Sequence, residues 1–301
     1  MKIGVIFVGE VLDRGFNASA LEGAQALRTH SGLDVEMIDG VPYDTGAMTQ
    51  ALTAAAARND GVIFVGGQGN DVTPPVARAT PDCLFGVVQG AVSGPNLASY
   101  DVLQEQSAFL AGCLAARVTK SGVVGHLSGH RVAPGLKGRA AFAAGVAHID
   151  PAITLLTGFC GTQDDSAVTG AWVAAQARAG ADVVFTMLNA ARGGAIEACR
   201  AGGILQIGNV LNWCDIAPEV FVGSALARIE RAVLRAGLDM LARRLPAEVQ
   251  PMGLAQGDAV GLALSTQVPR ALADELARLQ RDIATNAIAV TSRYDGPEFT
   301  L

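Results

Sequence analysis

SGVVGHLSG (Ser121–Gly129) repeats, halfway along the chain, the kind of segment that opens it, KIGVIFVG (Lys2–Gly9). Each segment is a largely apolar strand that ends in glycine and polar residues, where a loop must begin. A run of alternating strands and helices follows each of these two starts. Ligands bind at the carboxyl ends of the strands in such α/β sheets. The sequence therefore predicts two doubly wound parallel-sheet lobes with a ligand cleft between them.

The length and composition favour two globular domains. At 301 residues the chain is long for a single hydrophobic core. Half of the residues are hydrophobic and 17% are charged, which excludes a disordered chain. The formal net charge is −6, and phosphate binding requires clustered Lys and Arg. Nucleic acid is therefore not expected as a partner.

The sequence also bears on the compartment. It contains no run of the ~18–20 uninterrupted apolar residues that a membrane-spanning helix needs, and no charged-then-apolar leader precedes Lys2. These features predict a cytoplasmic protein without a membrane span, or a periplasmic protein or lipoprotein if a native leader is missing from the sequence. The five cysteines form no CxxC pair, so neither a zinc site nor a disulfide framework is indicated.

The rhythm of strands and helices sets the expected domain boundaries. Apolar strands alternate with helices as in the βαβ crossovers of a parallel sheet. Helices are predicted at Gln104–Val118, before the second start, and at Ala225–Leu245, as a long amphipathic element. No low-complexity linker separates the lobes, so we expect several short crossings between them. The predicted N-terminal lobe comprises residues 1–118 and 223–248, and the predicted C-terminal lobe comprises residues 119–222 and 249–301.

Motifs of catalytic or metal chemistry are weak. GGQGND (Gly66–Asp71) lacks the GxGxxG register and the Lys–Ser/Thr pair of a P-loop, so a glycine turn is favoured over a phosphate loop. His126 and His130 are four residues apart on a strand-to-loop segment, which indicates a metal site only weakly. Asp164 and Asp165 are explained better by a helix N-cap than by acid–base catalysis. Because no nucleophile–base pair and no cofactor motif stand out, we expect neither an enzyme nor a bound cofactor or metal.

Polar and aromatic residues recur where the predicted strands end. Amides and a carboxylate can hydrogen-bond the edges of a flat ring, and an aromatic side chain can stack on its face. The alternative is that these residues only cap loops and helices, as Asn and Asp often do. Since they lie at carboxyl ends in both halves of the chain, we predict a ligand-binding set composed of Asp13, Phe16, Asn17, Gln89, Phe159, Asn189, Asn209, Asn212 and Trp213.

Several segments, in order along the chain, resemble a known family. DRGFNASALEG (Asp13–Gly23) resembles the DxGFNxxxxEG signature of the basic membrane protein (BMP) family, the substrate-binding proteins of ABC transporters. The resemblance continues through further segments: Asn96–Ala116, Ser121–Gly129, Ala141–Ile153, Gly158–Asp165, Gly180–Phe185 and Ile207–Leu226. It implies the two-lobed type I periplasmic-binding-protein fold with three interdomain crossings. It also implies that Asp13, Phe16 and Asn17 lie at the cleft, where some members stack an aromatic side chain on a purine nucleoside.

The chain departs from the family pattern at three positions. Gln89 stands where the family has an Asp at the end of the fourth strand, and Asn209 replaces the Asp of its IGVD motif. The Lys expected shortly after Ser224 is absent. In nucleoside-binding members these charged groups bind the ribose. Amides keep hydrogen-bonding capacity but remove charge, so we expect a flat, neutral heterocycle such as a purine-like base or a nucleoside analogue.

The sequence leaves two functions open. The first is a substrate-binding protein that delivers a small heterocyclic metabolite to an ABC permease. The second is a cytoplasmic ligand sensor or regulatory protein that uses the same fold. In either case occupancy would be transmitted to a partner by closure of the lobes on the ligand.

Overall fold

Two units make up the chain in the computed structural model, which describes residues 1–30 and 32–301. The first unit comprises Met1–Val102 and Arg228–Met252, and the second comprises Leu103–Ala227 and Gly253–Leu301. The chain therefore passes three times from one unit to the other. The boundaries expected from the sequence differ at 103–118, 223–227 and 249–252. These residues group with the helix or sheet that they pack on or extend, and that grouping could not be read from the local sequence.

The first unit is a six-stranded parallel sheet with helices. Its strands lie in the order β11-β5-β4-β3-β1-β2, and every pairing is parallel. The elements are β1 (Lys2–Val8), α1 (Phe16–Arg28), β2 (Asp34–Val41), α2 (Thr45–Ala56), β3 (Gly61–Val65), α3 (Gly69–Ala79), β4 (Leu84–Val88), β5 (Leu97–Val102), α8 (Ile229–Leu241) and β11 (Gln250–Met252).

The second unit repeats this plan. Its strands lie in the order β12-β10-β9-β8-β6-β7, with only the β10–β12 pairing antiparallel among those described. The elements are α4 (Gln104–Val118), β6 (Val123–Ser128), α5 (Ala133–Ile149), β7 (Thr154–Phe159), α6 (Ser166–Arg178), β8 (Val183–Met187), α7 (Arg192–Gly202), β9 (Leu205–Val210), β10 (Phe221–Ala227), β12 (Val260–Leu264) and α9 (Arg270–Ala284).

The predicted fold class is confirmed, and one predicted helix is wrong in part. Each sheet has helices packed against it, and the central strands β3 and β8 are buried at every residue, as parallel strands covered on both faces require. The helix predicted at Ala225–Leu245 begins only at Ile229, because residues 225–227 continue β10 between β9 and β12. The hydrophobic pattern there fits a fully buried strand as well as a helix.

Glycines allow the helices of the second unit to pack closely. Helix α4 contacts α5 where Gly112 faces Phe142 and Gly145 faces Phe109. A Cβ atom would lie 2.2 Å from the Phe142 carbonyl oxygen at Gly112, and 2.1 Å from the Phe109 carbonyl oxygen at Gly145. The helix backbones are therefore in direct contact at this crossing. Around it lies a core that includes Leu110, Leu114 and Phe185.

The strand orders fix where a ligand is expected on each sheet. In the first unit the order reverses between β1 and β3, and in the second unit it reverses between β6 and β8. Ligands of doubly wound sheets bind at the carboxyl ends of the strands flanking such a reversal. A ligand is therefore expected at the loops that follow β1, β3, β6 and β8.

Candidate functional site

The loop after β1 is organised by Asp13 and Asn17. The Asp13 carboxylate accepts hydrogen bonds from the backbone N–H groups of Gly15, Asn17 and Ala18 at 2.8–3.0 Å. Asn17 Nδ2 donates to the carbonyl oxygens of Val8 and Glu10, at 2.8 and 2.9 Å. Both side chains are buried. These bonds hold the loop against the end of β1 and the start of α1, and they account for both residues without a ligand.

Phe16 occupies a different position in the same loop. It is the first residue of α1 and its side chain is half-buried. The loop that Asp13 and Asn17 hold therefore sets the position of an aromatic ring at the carboxyl end of β1. Stacking on a ligand stays a prediction for this residue.

Gln89 follows β4 directly, and its amide oxygen is already used. Gln89 Oε1 accepts a hydrogen bond from the backbone N–H of Val102 at 2.7 Å, and the Gln89 side chain is buried. Within the described residues, Gln89 Nε2 makes no such bond. The Nε2 group of Gln89 therefore remains available as a donor, while its Oε1 atom accepts from the backbone of β5.

Three non-glycine residues with positive φ lie at or after the carboxyl ends of strands, and two others, Arg243 and Asn286, follow α8 and α9. Arg14, Gln89 and Val210 have φ angles of 51°, 61° and 67°. The left-handed region is unfavourable for residues with a Cβ atom, and most of all for a β-branched residue such as Val210. The three residues follow or end β1, β4 and β9. Strain of this kind persists where the surrounding structure imposes it, and it clusters at binding sites.

Asn209 and Trp213 come together at the end of β9. Trp213 Nε1 donates to the Asn209 carbonyl oxygen at 3.2 Å, and the Trp213 N–H donates to Ser224 Oγ at 2.9 Å. The indole lies against Gly208, where a Cβ atom would lie 2.6 Å from the ring. Trp213 is only 3% exposed and also packs on Phe221. Most of its surface therefore belongs to the core of the second unit.

Arg192 completes this group and was not predicted from the sequence. It is 1% exposed, and its guanidinium donates to Asn209 Oδ1 and to the Leu188 carbonyl oxygen. It lies 4.4 Å from the centre of the Trp213 ring. Arg192 is the first residue of α7, where the helix dipole disfavours a cation. That misplaced charge was the available signal in the sequence.

Asn189 and Asn212 lie beside Arg192 and Trp213. The Asn189 carbonyl oxygen accepts from the Arg192 N–H at 3.1 Å, and the Asn189 N–H donates to Gln163 Oε1 at 3.1 Å. Asn212 Nδ2 donates to Asp215 at 2.7 Å, while Asn212 Oδ1 is buried without a partner among the described residues. The second unit thus brings together four of the predicted residues: Asn189, Asn209, Asn212 and Trp213.

Phe159 ends β7 and lies apart from that group. The guanidinium carbons of Arg131 and Arg139 lie 4.7 and 5.1 Å from the centre of its ring. His126 meets Phe159 edge to face at 6.2 Å. The ring is only 9% exposed, so these neighbours cover most of its surface, and contact with a ligand stays a prediction for Phe159. Arg131 and Arg139 are further charged residues that the sequence analysis missed.

The residues weighed for metal or catalytic chemistry have structural partners. His126 is buried between the hydroxyl groups of Thr157 and Ser128, at 2.8 and 3.0 Å, and burial lowers its pKa to about 3. Across residues 1–30 and 32–301 no cluster of three His, Cys, Asp or Glu is placed to hold a metal ion. Asp165 caps α6 by accepting from the Ala167 and Val168 N–H groups, which confirms the N-cap prediction. Residues 69–71 of the glycine segment are the first residues of α3, and residues 66–68 precede the helix.

Comparison with known proteins identifies the family. The family model described as "Bmp: ABC transporter substrate-binding protein PnrA-like" matches residues 1–293. The chain belongs to the Bmp family. Basic membrane protein A2 of Borrelia garinii subsp. bavariensis is 23% identical over 77% of this chain and 70% of its own length. The ABC transporter nucleoside-binding protein BmpA of Lactococcus lactis subsp. cremoris is 26% identical over 64% of this chain and 56% of its own length.

Solved structures have the same fold as this Bmp protein. A solute-binding protein of an ABC transporter system from Aeropyrum pernix K1 aligns with a TM-score of 0.85 at 20% identity, covering 98% of this chain and 94% of that chain. A transcriptional activator of the comK gene from Bacillus halodurans aligns with a TM-score of 0.80 at 17% identity, covering 96% and 99%. The expected fold, two lobes of the type I periplasmic-binding-protein type, is confirmed. Across the part of the chain described, no helix is both long and apolar enough to span a bilayer.

Gln89 and Asn209, the two amides that the sequence resemblance matches to carboxylates, share one property. Arginine and a backbone N–H can only donate, so the oxygens of Asn209 and Gln89 face Arg192 and Val102 respectively. Each amide is left with its NH₂ group, and neither nitrogen makes a hydrogen bond within the described residues. A carboxylate at either position would have offered an acceptor instead. Each of these two positions therefore presents an N–H donor.

Proposed function

We propose that this Bmp protein binds a flat, neutral heterocycle, a purine-like base or nucleoside analogue, and delivers it to an ABC permease. The role as a substrate-binding component is supported by the family match over residues 1–293. Nucleoside binding in a relative supports a heterocyclic ligand. An importer component acts outside the cytoplasmic membrane, so the proposal includes a periplasmic or lipoprotein location.

The ligand class follows from the donors at Gln89 and Asn209. A ribose hydroxyl that donates to a carboxylate makes a strong, charge-assisted hydrogen bond. An amide NH₂ group is instead complementary to acceptors such as a ring nitrogen or an exocyclic carbonyl oxygen. In the first unit the Gln89 donor and the aromatic ring of Phe16 favour a heterocycle over a sugar, and in the second unit the Asn209 donor does so by itself. This complementarity is the observation that carries the proposal.

Paired ligands test the proposal directly. Thermal-shift and calorimetric titrations with adenine, guanine, hypoxanthine and uracil, each beside its nucleoside, should show tighter binding of a base than of its nucleoside. Native mass spectrometry of freshly purified protein would reveal any retained metabolite. Tighter binding of a nucleoside than of its base would contradict the ligand class. Binding of neither class would contradict the proposal as a whole.

A regulatory role is the second candidate, since a transcriptional activator has the same fold. In that role the protein would respond to its ligand in the cytoplasm without a permease. Expression of the native gene with cell fractionation, followed by affinity capture in the presence of the ligand, separates the two roles. Recovery of an ABC permease from the membrane fraction supports the importer role. A cytoplasmic protein that captures no permease would support the sensor.

A further inference from the structure

The residues Tyr294–Phe299, here called the strap, belong to the second unit, and within them the Glu298 carboxylate pairs with two arginines of that unit. Glu298 Oε1 accepts a hydrogen bond from Arg131 Nη1 at 3.1 Å. The Glu298 carboxylate also accepts closer hydrogen bonds from Arg131 Nη2 and Arg139 Nη1. Arg131 lies in the loop after β6 and Arg139 lies in α5, so both belong to the end of the sheet where its order reverses.

Glu298 provides the counter-charge of a buried cation. Arg139 is only 7% exposed, and a buried guanidinium is costly unless it is paired and hydrogen-bonded. The hydrogen bond from Arg131, followed by that from Arg139, lowers the pKa of Glu298 to about 2. Glu298 is therefore ionised at neutral pH, accepts hydrogen bonds from both guanidinium groups and balances one of their two positive charges.

The other contacts of the strap are few. The Phe299 N–H donates to the Thr157 carbonyl oxygen at 2.7 Å, and the Phe299 ring meets Trp172 at 6.1 Å. The Tyr294 ring lies 4.7 Å from the guanidinium carbon of Arg139. Residues 295–297 are exposed, and the side chain of Glu298 is 29% exposed. Segments with so few buried contacts open at a lower free energy than the core of the unit.

The arginine pair has the features of a built anion site. Two guanidinium groups converge on one carboxylate above the ring of Phe159. Arg139 Nε is buried and has no hydrogen-bond acceptor among the described residues, so the side chain retains a donor. The planar fork of arginine matches a carboxylate in two-point contact. The family model ends at residue 293, so the strap lies outside the matched residues.

We propose that Arg131 and Arg139 form a binding site for a small carboxylate, and that the strap closes this site by placing Glu298 in it as an internal ligand. A free carboxylate then competes with Glu298 for the same two guanidinium groups. Its binding releases the strap, and loss of the Glu298 charge opens the site.

Limited trypsin cleavage after the exposed Arg293 measures strap release in the full chain. Cleavage there frees residues 294–301, which intact-mass analysis detects. Glu298→Gln should accelerate this cleavage at least tenfold, and Arg131→Gln should act in the same direction. Glu275→Gln is the matched control because Glu275 pairs with Arg117 elsewhere in the same unit, and it should leave the rate unchanged.

Sodium benzoate, compared with sodium chloride at equal ionic strength, is the ligand probe. It should accelerate cleavage of the unmodified chain to a plateau and have no further effect on Glu298→Gln. Calorimetry should show saturable benzoate binding to Glu298→Gln, weakened at least tenfold in the double variant Arg131→Gln, Glu298→Gln. Equal cleavage rates of Glu298→Gln and Glu275→Gln would overturn the proposal that Glu298 holds the strap in place. If Glu298→Gln fails to bind benzoate, or binds inorganic phosphate more tightly than benzoate, the assignment of the arginine pair to a small carboxylate is wrong.

Discussion

Replacing Asn209 by Asp reverses the hydrogen-bonding character of the proposed site at a single atom. The two side chains have the same shape, so the oxygen that accepts from Arg192 is retained. The second atom changes from an N–H donor to a carboxylate oxygen. Arg192 is next to the new charge and provides its counter-charge. We therefore expect the variant to fold normally and to change its choice of ligand.

The size of the change follows from the two kinds of hydrogen bond. A hydrogen bond to a charged group contributes about 1.5–3 kcal/mol, against about 0.5–1.5 kcal/mol for a neutral pair. A nucleoside whose hydroxyl donates to the new carboxylate at position 209 should bind more tightly by about 1.4 kcal/mol, or about tenfold. A ring nitrogen or carbonyl at that position loses its donor and faces a second acceptor, which costs at least about as much. The ratio of nucleoside to base affinity should therefore rise by about a hundredfold.

Isothermal titration of a base and its nucleoside, against the unmodified chain and Asn209→Asp, measures this ratio. Asn286→Asp is the control, because Asn286 is exposed after α9 and the substitution adds the same charge. For the first unit the matching variant is Gln89→Glu, which keeps the length needed to reach the Val102 N–H at 2.7 Å. An unchanged ratio in Asn209→Asp, in a variant whose unfolding temperature is preserved, would refute the assignment of position 209 to the ligand.

Three further predictions concern Phe16, the α4–α5 contact and the strap. Phe16→Ala should weaken binding of the heterocycle by about 1–3 kcal/mol, the range for stacking of a base on an aromatic side chain; unchanged affinity in calorimetry would remove Phe16 from the site. Gly145→Ala should destabilise the protein in denaturant titrations by at least about 1–3 kcal/mol, because its Cβ would overlap the Phe109 carbonyl oxygen. The same substitution at the exposed Gly193 of α7 should be neutral or stabilising by up to about 1 kcal/mol, and equal effects would contradict close packing as the cause. The folded-state pKa of Glu298 lies below its ordinary value of 4.5, at about 2, so its stabilising effect is complete above pH 4.5 and lost as the pH falls to about 2. The charged and titratable groups around this carboxylate are Arg131, Arg139, Tyr294 and the buried His126. The free energies of unfolding of the unmodified chain and Glu298→Gln should converge as the pH falls over that range. A difference in unfolding free energy that persists at pH 2 would contradict the Glu298 charge as the source of the stabilisation.

The fold could be predicted from the sequence because its signals are local. Fully apolar strands ending in glycine, and caps such as Asp165, fix each strand–helix unit within a few residues. The helix predicted at Gln104–Val118 has these bounds in the structure. The assignment of that helix to a unit depends instead on the contact between Gly112 and Phe142, which are 30 positions apart, and local patterns do not report such contacts.

The predicted site residues show why amino-acid type alone is a weak guide to a ligand. Asp13 and Asn17 bind backbone groups of their own loop, which is the capping role that such residues often have. Gln89 and Asn209 each use one end of the amide within the protein and leave the other end available. The sequence gives the position of each group. The tertiary partner determines which atom is left for a ligand.

The charged residues could not be predicted for a related reason. Arg139 and Glu298 are 159 positions apart, and nothing in the sequence near either residue indicates the other. A single sequence predicts that an arginine on a helix is solvated, since that is the usual state of the side chain. Arg139 and Arg192 are nevertheless buried, and each donates hydrogen bonds at the carboxyl end of the second sheet. Arg192 therefore places a positive charge at this end of the second unit, although its partner Asn209 is neutral. This end of the second unit therefore combines the guanidinium donors of Arg131, Arg139 and Arg192 and the amide donor of Asn209 with the acceptor carboxylate of Glu298.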